Sequence, residues 1–273
     1  MIKLIATDLD GTLLTSDHTV TPRTLRALAA AREAGLHVVP ASGRQPFSIG
    51  EVLAGTFLAD GVVLGANGAV GYDLGRDAVL FETTLAVEAQ TALFHALRER
   101  HPGIHCVSVR DGGATFVPQH GYVGMMDPED HSRPGDLPEF PLTEVLSVPS
   151  VKLVVRDPAV APEELLATAL ELDLPGVAPS TSGAPFLEVA SAGVDKGTGL
   201  VRIAGALGVR ADEVIAFGDN LNDLEMLAWA GHGVAMGNAL PEVIAVADEV
   251  APTNNDEGIA VVIERLAVNG WRV

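Results

Sequence analysis

The sequence predicts an α/β protein: a parallel-sheet core with an α+β unit inserted into it. Two observations carry that prediction. In the first and last thirds of the chain, short apolar runs alternate with amphipathic helical runs, as a parallel sheet requires. In the middle, over residues 83–189, a hairpin across Asp111-Gly112-Gly113 breaks that alternation. At 273 residues the chain is long for one domain, and its 48% hydrophobic content suffices for a sizeable core.

Residues 3–7 form the first predicted strand, an apolar run that ends abruptly in Asp8-Leu9-Asp10-Gly11-Thr12. Thr21 suits an N-cap and Pro22 the first turn of the helix that follows; Leu25, Leu28 and Ala29 form its apolar face, and Gly35 stops it. Residues 36–40 are the second strand, running into Ala41-Ser42-Gly43-Arg44. Strand, helix and strand with short links make a βαβ unit. The two strands are therefore expected to be parallel neighbours, with Ser42 near Asp8 at the carboxyl edge of the sheet. A short helix at 47–53, a third strand at 61–64 and a hairpin of 70–72 with 78–81 complete the segment, and Asn67-Gly68 reads as a turn.

The inserted stretch opens with an amphipathic helix at 87–100. Strands at 104–109 and 114–117 flank Asp111-Gly112-Gly113. Residues 118–149 are rich in proline, glycine and acids and read as loop. Their His120, Asp130 and His131 match no closed metal site. A strand at 151–155, a helix at 162–172 and a strand at 186–189 finish the unit. Alternation then returns: a helix from Lys196 to Gly208, strands at 214–217 and 232–236, helices at 224–230 and after Pro241, an edge strand at 249–250 and a last helix at 258–266. The expected division is 1–82 with 190–273 for the core and 83–189 for the insertion. The small or polar links Thr83-Thr84 and Ala190-Ser191-Ala192-Gly193 are expected to serve as hinges.

A formal net charge of −19 argues against a nucleic-acid partner, because phosphate backbones are bound by clustered Lys and Arg. The single cysteine, Cys106, allows no intrachain disulfide and no CxxC metal site. No run approaches the length of a membrane span, and the N-terminus has no basic region followed by a long apolar stretch. A soluble cytoplasmic protein is expected, as a monomer or a weak homodimer.

Two acidic clusters stand out. Asp8 and Asp10 follow the first strand; Gly218-Asp219-Asn220-Leu221-Asn222-Asp223 follows the strand at 214–217. An aspartate after a strand often only caps the next turn. Two clusters at the carboxyl ends of parallel strands, however, should converge on one crevice, where carboxylates repel unless a cation joins them. Hard oxygen ligands without Cys or His point to Mg2+. Lys196 supplies positive charge at a helix start, which is itself electropositive and suited to an anion.

Four separated pieces, Asp8-Leu9-Asp10-Gly11-Thr12, Ser42-Gly43-Arg44, Lys196-Gly197 and Gly218 to Asp223, resemble in identity and order the haloacid dehalogenase-like (HAD) phosphatases. The chain most resembles their Cof-type subfamily, in which a large α/β cap of type IIB is inserted between the second and third pieces of a Rossmann-like core. The resemblance implies that Asp8 is a nucleophile and that Asp10 is its general acid and base. It implies that Mg2+ is held by the Asp8 carboxylate, the Asp10 main-chain carbonyl and Asp219, with Asp223 in support. Ser42, Lys196 and Asn222 would bind the phosphoryl group together with the backbone around Leu9, Thr12 and Gly43, and Arg44 and Asn67 would meet the substrate. The implied substrate is a small phosphorylated metabolite, a sugar phosphate first and phosphorylated cofactors next. Cap residues Tyr122, Met125 and Met126 are expected to touch the leaving group. A phosphomutase would need several basic groups in the cap, where residues 118–149 offer only Arg133. A catalytically silent regulator is disfavoured by the intact Asp8 and Asp10.

Overall fold

A computed structural model of the chain describes residues 1–126, 137–181 and 183–273. The chain forms two compact units, one of Met1–Leu80 with Asp195–Val273 and the other of Phe81–Val194. Asp130, His131 and Arg133 lie outside the described residues.

The first unit is built on a parallel sheet of β1 (Leu4–Thr7), β2 (His37–Pro40), β11 (Val214–Gly218), β12 (His232–Ala235) and β13 (Glu249–Val250), in the order β13-β12-β11-β1-β2. β1 lies between β2 and β11 with all four of its residues buried, which its unbroken apolar run requires. Helix α1 (Pro22–Glu33) joins β1 to β2. The Thr21 hydroxyl accepts the Thr24 N–H, so the expected N-cap is in place. On one side of the sheet α1 packs against α9 (Gly258–Val268) over Leu9, Leu28, Ile215, Phe217 and Ile263. Each such side chain contributes about 1.5–3 kcal/mol by leaving water. Helices α6 (Lys196–Ala206), α7 (Leu224–Trp229) and α8 (Pro241–Val246) belong to the same unit, as does the short α2 (Pro46–Val52).

The third predicted strand, β3 (Val62–Gly65), pairs antiparallel with β4 (Val70–Asp73) in a small sheet that continues to β5 (Ala78–Glu82). A single parallel bridge from Ala41 to Leu64 ties it to the end of β2.

The second unit is an antiparallel sheet of β6 (His105–Arg110), β7 (Thr115–Pro118), β8 (Lys152–Arg156), β9 (Val177–Ser180) and β10 (Leu187–Ser191), in the order β7-β6-β8-β10-β9. Helices α3 (Val87–Arg100) and α5 (Pro162–Leu172) bury Leu93, Phe94, Leu97 and Leu165 with Cys106, Leu153 and Leu187. Strand β9 was not among the expected strands; its Pro179 lies at the sheet edge, where a missing N–H is tolerated. The short α4 (Leu142–Val145) lies inside the stretch read as loop. Ala190 and Ser191, read as part of a link, are the last residues of β10. Tyr122 is fully buried, edge-on to Phe116 with Val107 and Val154 in the same cluster, so its ring is core and not a ready ligand contact.

Candidate active site

Strands β1 and β11 deliver the two acidic loops to one place. Thr7 is paired with both Phe217 and Pro40, so the residues after each strand emerge side by side at the carboxyl edge. Asp8 and Asp223 meet there across Lys196. The Lys196 Nζ, fully buried, donates to Asp8 Oδ1 at 2.5 Å and to Asp223 Oδ1 at 2.6 Å. A capping box sets the start of α6: the Asp195 carboxylate accepts the Thr198 N–H, and the Thr198 hydroxyl accepts the Asp195 N–H. The glycines of Lys196-Gly197-Thr198-Gly199 then let the helix come close. A Cβ on Gly197 would stand 2.7 Å from the Glu225 carbonyl oxygen, and one on Gly199 would stand 2.8 Å from the Gly68 backbone. Larger residues would push α6 away and carry Lys196 off the carboxylates.

Asp223 also organises its own loop. Its Oδ2 accepts the N–H groups of Asp219 at 3.0 Å and Asn220 at 3.1 Å. Gly218 is required by that fold-back, since a Cβ there would lie 2.5 Å from the Asp223 Cβ. Asp219 accepts the Thr12 hydroxyl on Oδ1 at 2.7 Å. Gly11, at φ +83°, passes so near that a Cβ would meet Asp219 Oδ2 at 2.4 Å.

Asp8, Asp219 and Asp223 each offer a carboxylate oxygen, and these atoms lie within 4.8 Å of one another. Burial pushes the Asp8 pKa well above the carboxylate range; Lys196 pulls it down, and Asp223 and Asp219 push it up again. Burial lifts Asp219 to about 6, opposed by the Thr12 hydrogen bond and aided by the charge of Asp223. For Lys196 burial works against the charged form, but Asp223 and Asp8 outweigh it and hold the ammonium protonated. Three carboxyl groups with hard oxygen donors face one ammonium, so ionising all three leaves negative charge that a cation would compensate. That donor set fits Mg2+.

Asp10 stands outside this cluster. The Arg44 guanidinium donates to it twice, Nε to Oδ2 at 2.7 Å and Nη2 to Oδ1 at 2.6 Å. Arg44, expected at the substrate, is thus committed to Asp10, and the metal contact expected of Asp10 concerns its main-chain carbonyl, a different atom. Ser42 is buried beside them: its Oγ accepts the Arg44 N–H at 3.1 Å and its carbonyl accepts the Asn67 N–H at 3.0 Å. Gly43 lies buried between Ser42 and Arg44. Asn67 adopts the left-handed conformation at φ 52°, and its Oδ1 accepts from Asn222 Nδ2 at 3.0 Å. The Leu9 side chain is core, which leaves only its backbone for a phosphate, and the Thr12 hydroxyl is spent on Asp219. Sequence reading missed Asn238, whose Nδ2 donates to the Gly11 carbonyl at 2.8 Å. Nothing in Gly237-Asn238 distinguishes it from an ordinary turn.

A buried acidic centre at the carboxyl edge of a parallel sheet makes this an α/β protein with a polar site where such folds bind their ligands. Residues 5–263 match the family profile of the haloacid dehalogenase-like hydrolases, and the chain belongs to that family, as its four motifs implied. Among its relatives is the putative phosphatase YxeH of Bacillus subtilis, 31% identical over 98% of this chain and 99% of its own length. The pyridoxal phosphate phosphatase YbhA of Escherichia coli is 32% identical over 94% of this chain and 96% of its own. The solved structure of the HAD subclass IIB sugar phosphatase BT4131 shares the fold, with a TM-score of 0.83 at 24% identity over 97% of this chain and 99% of that one. Among the described residues no helix is long and apolar enough to cross a membrane.

Proposed function

We propose that the chain is a Mg2+-dependent phosphatase that hydrolyses a small phosphorylated metabolite, a sugar phosphate first, through an aspartyl phosphate on Asp8. The observation that carries the reading is the buried Asp8, held by Lys196 beside Asp219 and Asp223, with a second acid two residues away on its own side-chain partner. Lys196 occupies Asp8 Oδ1 and orients the carboxylate, which leaves Oδ2 to attack phosphorus. As the Asp8 O–P bond forms, the bond to the leaving oxygen breaks, and that oxygen takes a proton from Asp10. Asp10 then accepts a proton from the water that attacks the same phosphorus and releases phosphate and Asp8. To do either, its carboxylate must leave the Arg44 fork. Ser42 and Asn222 lie at the same edge for the phosphoryl oxygens, with Asn67 holding Asn222 in place. Asp8, Asp219 and the Asp10 carbonyl, supported by Asp223, would hold Mg2+, which would supply the charge that screens Asp8 from an anionic substrate.

Selection of the leaving group is assigned to the inserted unit, residues 83–189 by sequence. The pyridoxal phosphate phosphatase among the relatives supports a substrate of metabolite size. Release of phosphate from 4-nitrophenyl phosphate with and without Mg2+, followed by a panel of sugar phosphates and pyridoxal phosphate, tests the reading. Turnover that needs Mg2+ and favours one metabolite is expected. Metal-independent turnover, or none on any ester, would overturn it.

A further inference from the structure

The loop of residues 8–16 carries both Asp8 and Asp10, and its inner hydrogen bonds are few. Leu13 N–H donates to Asp8 O at 3.2 Å, Leu14 N–H to Leu9 O at 2.8 Å and Thr12 N–H to Leu9 O at a long 3.3 Å. The carbonyls of Gly11 and Leu14 are taken instead by two asparagines from the far end of the chain. Asn238 Nδ2 donates to Gly11 O at 2.8 Å, and Asn254 Nδ2 donates to Leu14 O at 2.8 Å. The two asparagines are themselves joined, because the Asn254 N–H donates to Asn238 Oδ1 at 3.0 Å. Asn255 adds a third tie: its Oδ1 accepts the Ser16 N–H and its Nδ2 donates to Ser16 Oγ, both at 2.9 Å.

The asparagines sit on a braced support. Thr253 Oγ1 donates to Asp256 Oδ2 at 2.6 Å and accepts the Asp256 N–H at 3.2 Å. The turn closes so tightly on Gly258 that a Cβ there would stand 2.1 Å from the Pro252 carbonyl oxygen. Glu257 reaches from this turn to the Thr21 hydroxyl at 2.7 Å, beside the start of α1. A rigid turn thus holds a catalytic loop by its backbone.

We propose that Asn238 and Asn254 are positioning residues for Asp10: they fix the backbone about which its carboxylate swings from Arg44 to the leaving oxygen. Gly11 is the next residue after Asp10, and a bridge pairs Asp10 with Leu14, so the two clasped carbonyls bracket the acid. Asp8 is fixed separately, by its N–H to Phe217 O at 3.0 Å and by Lys196. Loss of the clasp should therefore misplace Asp10 and spare Asp8. The catalytic half of this inference rests on the phosphatase reading.

The experiment compares Asn238→Ala and the near-isosteric Asn254→Asp with wild type by two readouts. The first is hydrogen exchange at the Leu13 and Leu14 amides, expected to quicken by roughly tenfold or more once the tie is lost. The second is turnover of an alkyl phosphate against 4-nitrophenyl phosphate. An alkoxide needs the proton of Asp10 and nitrophenolate scarcely does. At saturating Mg2+, the alkyl ester should fall by about 10–100-fold and the aryl ester by less than about threefold. Equal losses on both esters, or unchanged exchange at Leu13 and Leu14, would overturn the proposal. A wild type inactive on both esters would instead sink the phosphatase reading, while exchange would still decide whether the clasp exists.

Discussion

The two acidic loops leave neighbouring parallel strands at paired positions, yet they use their carboxylates in opposite ways. After β11, Asp223 is fully buried and folds back on its own backbone, accepting two N–H groups and the Lys196 ammonium. After β1, Asp8 meets the same lysine, but Asp10 is 38% exposed and held by side chains, the Arg44 fork with His18 Nδ1 3.8 Å from its Oδ1. A carboxylate bound by backbone donors in a dry site is scaffold, because moving it strands several polar groups at once. A partly exposed carboxylate held by side chains rather than by backbone donors can exchange partners at little cost. On the proposed mechanism the first loop therefore carries the groups that react and the second the group that holds them.

The comparison breaks first at Asp8. Asp8→Asn keeps the shape and removes the nucleophile, so turnover should fall by about four orders of magnitude or more while the thermal midpoint stays within a few degrees. A folded variant with near wild-type phosphate release would remove Asp8 from the centre of the account.

Next comes the contrast itself. Asp223→Ala leaves Lys196 buried with half its counter-charge and two N–H groups unpaired, so denaturant unfolding should show a loss of about 3–5 kcal/mol. Asp10→Ala breaks only a partly exposed pair and should cost less than about 1 kcal/mol, though it too removes activity. Equal stability losses would erase the division between scaffold and reacting loop.

A smaller effect separates the proposed metal ligands. Burial raises Asp219 to about 6, against an ordinary 3.8. A carboxylate whose folded pKa lies above its unfolded value stabilises the fold while protonated, so that contribution fades as the pH climbs through this window. Metal-free protein should therefore lose thermal stability between those values. Mg2+ binds the ionised form, and its gain in melting temperature should be larger at about pH 7 than at about pH 5. In Asp219→Ala, calorimetry should show weakened Mg2+ binding. Smaller still is Arg44→Lys, which turns a two-point contact into one; alkyl phosphate turnover should change by about tenfold, with aryl phosphate nearly untouched.

Much of the core was legible because its chemistry sits at strand ends. The apolar run before Asp8, the one before Gly218 and the cap Thr21-Pro22 each announce themselves locally, and a parallel order then brings both loops to one edge. What could not be read is pairing between side chains far apart in sequence. Lys196 is a helix-start cation by sequence, and only the folded chain shows it bridging Asp8 and Asp223. Arg44 could as well have faced a ligand as Asp10, and Thr12 gives no sign of its bond to Asp219. In the inserted unit the signal was weaker. The edge strand at Val177–Ser180 went unread, and Tyr122, in a stretch of loop composition, fills a small core of its own.

The most direct test of the central claim is a search for phosphate on Asp8. Asp10→Asn protein mixed with 4-nitrophenyl phosphate and Mg2+, quenched in acid within the first turnover and digested, should yield a peptide containing Asp8 heavier by one phosphoryl group. The same peptide from Asp8→Asn protein should be unmodified. Phosphate found on any other residue, or product formed in a full turnover with no modified peptide at any time, would contradict the account.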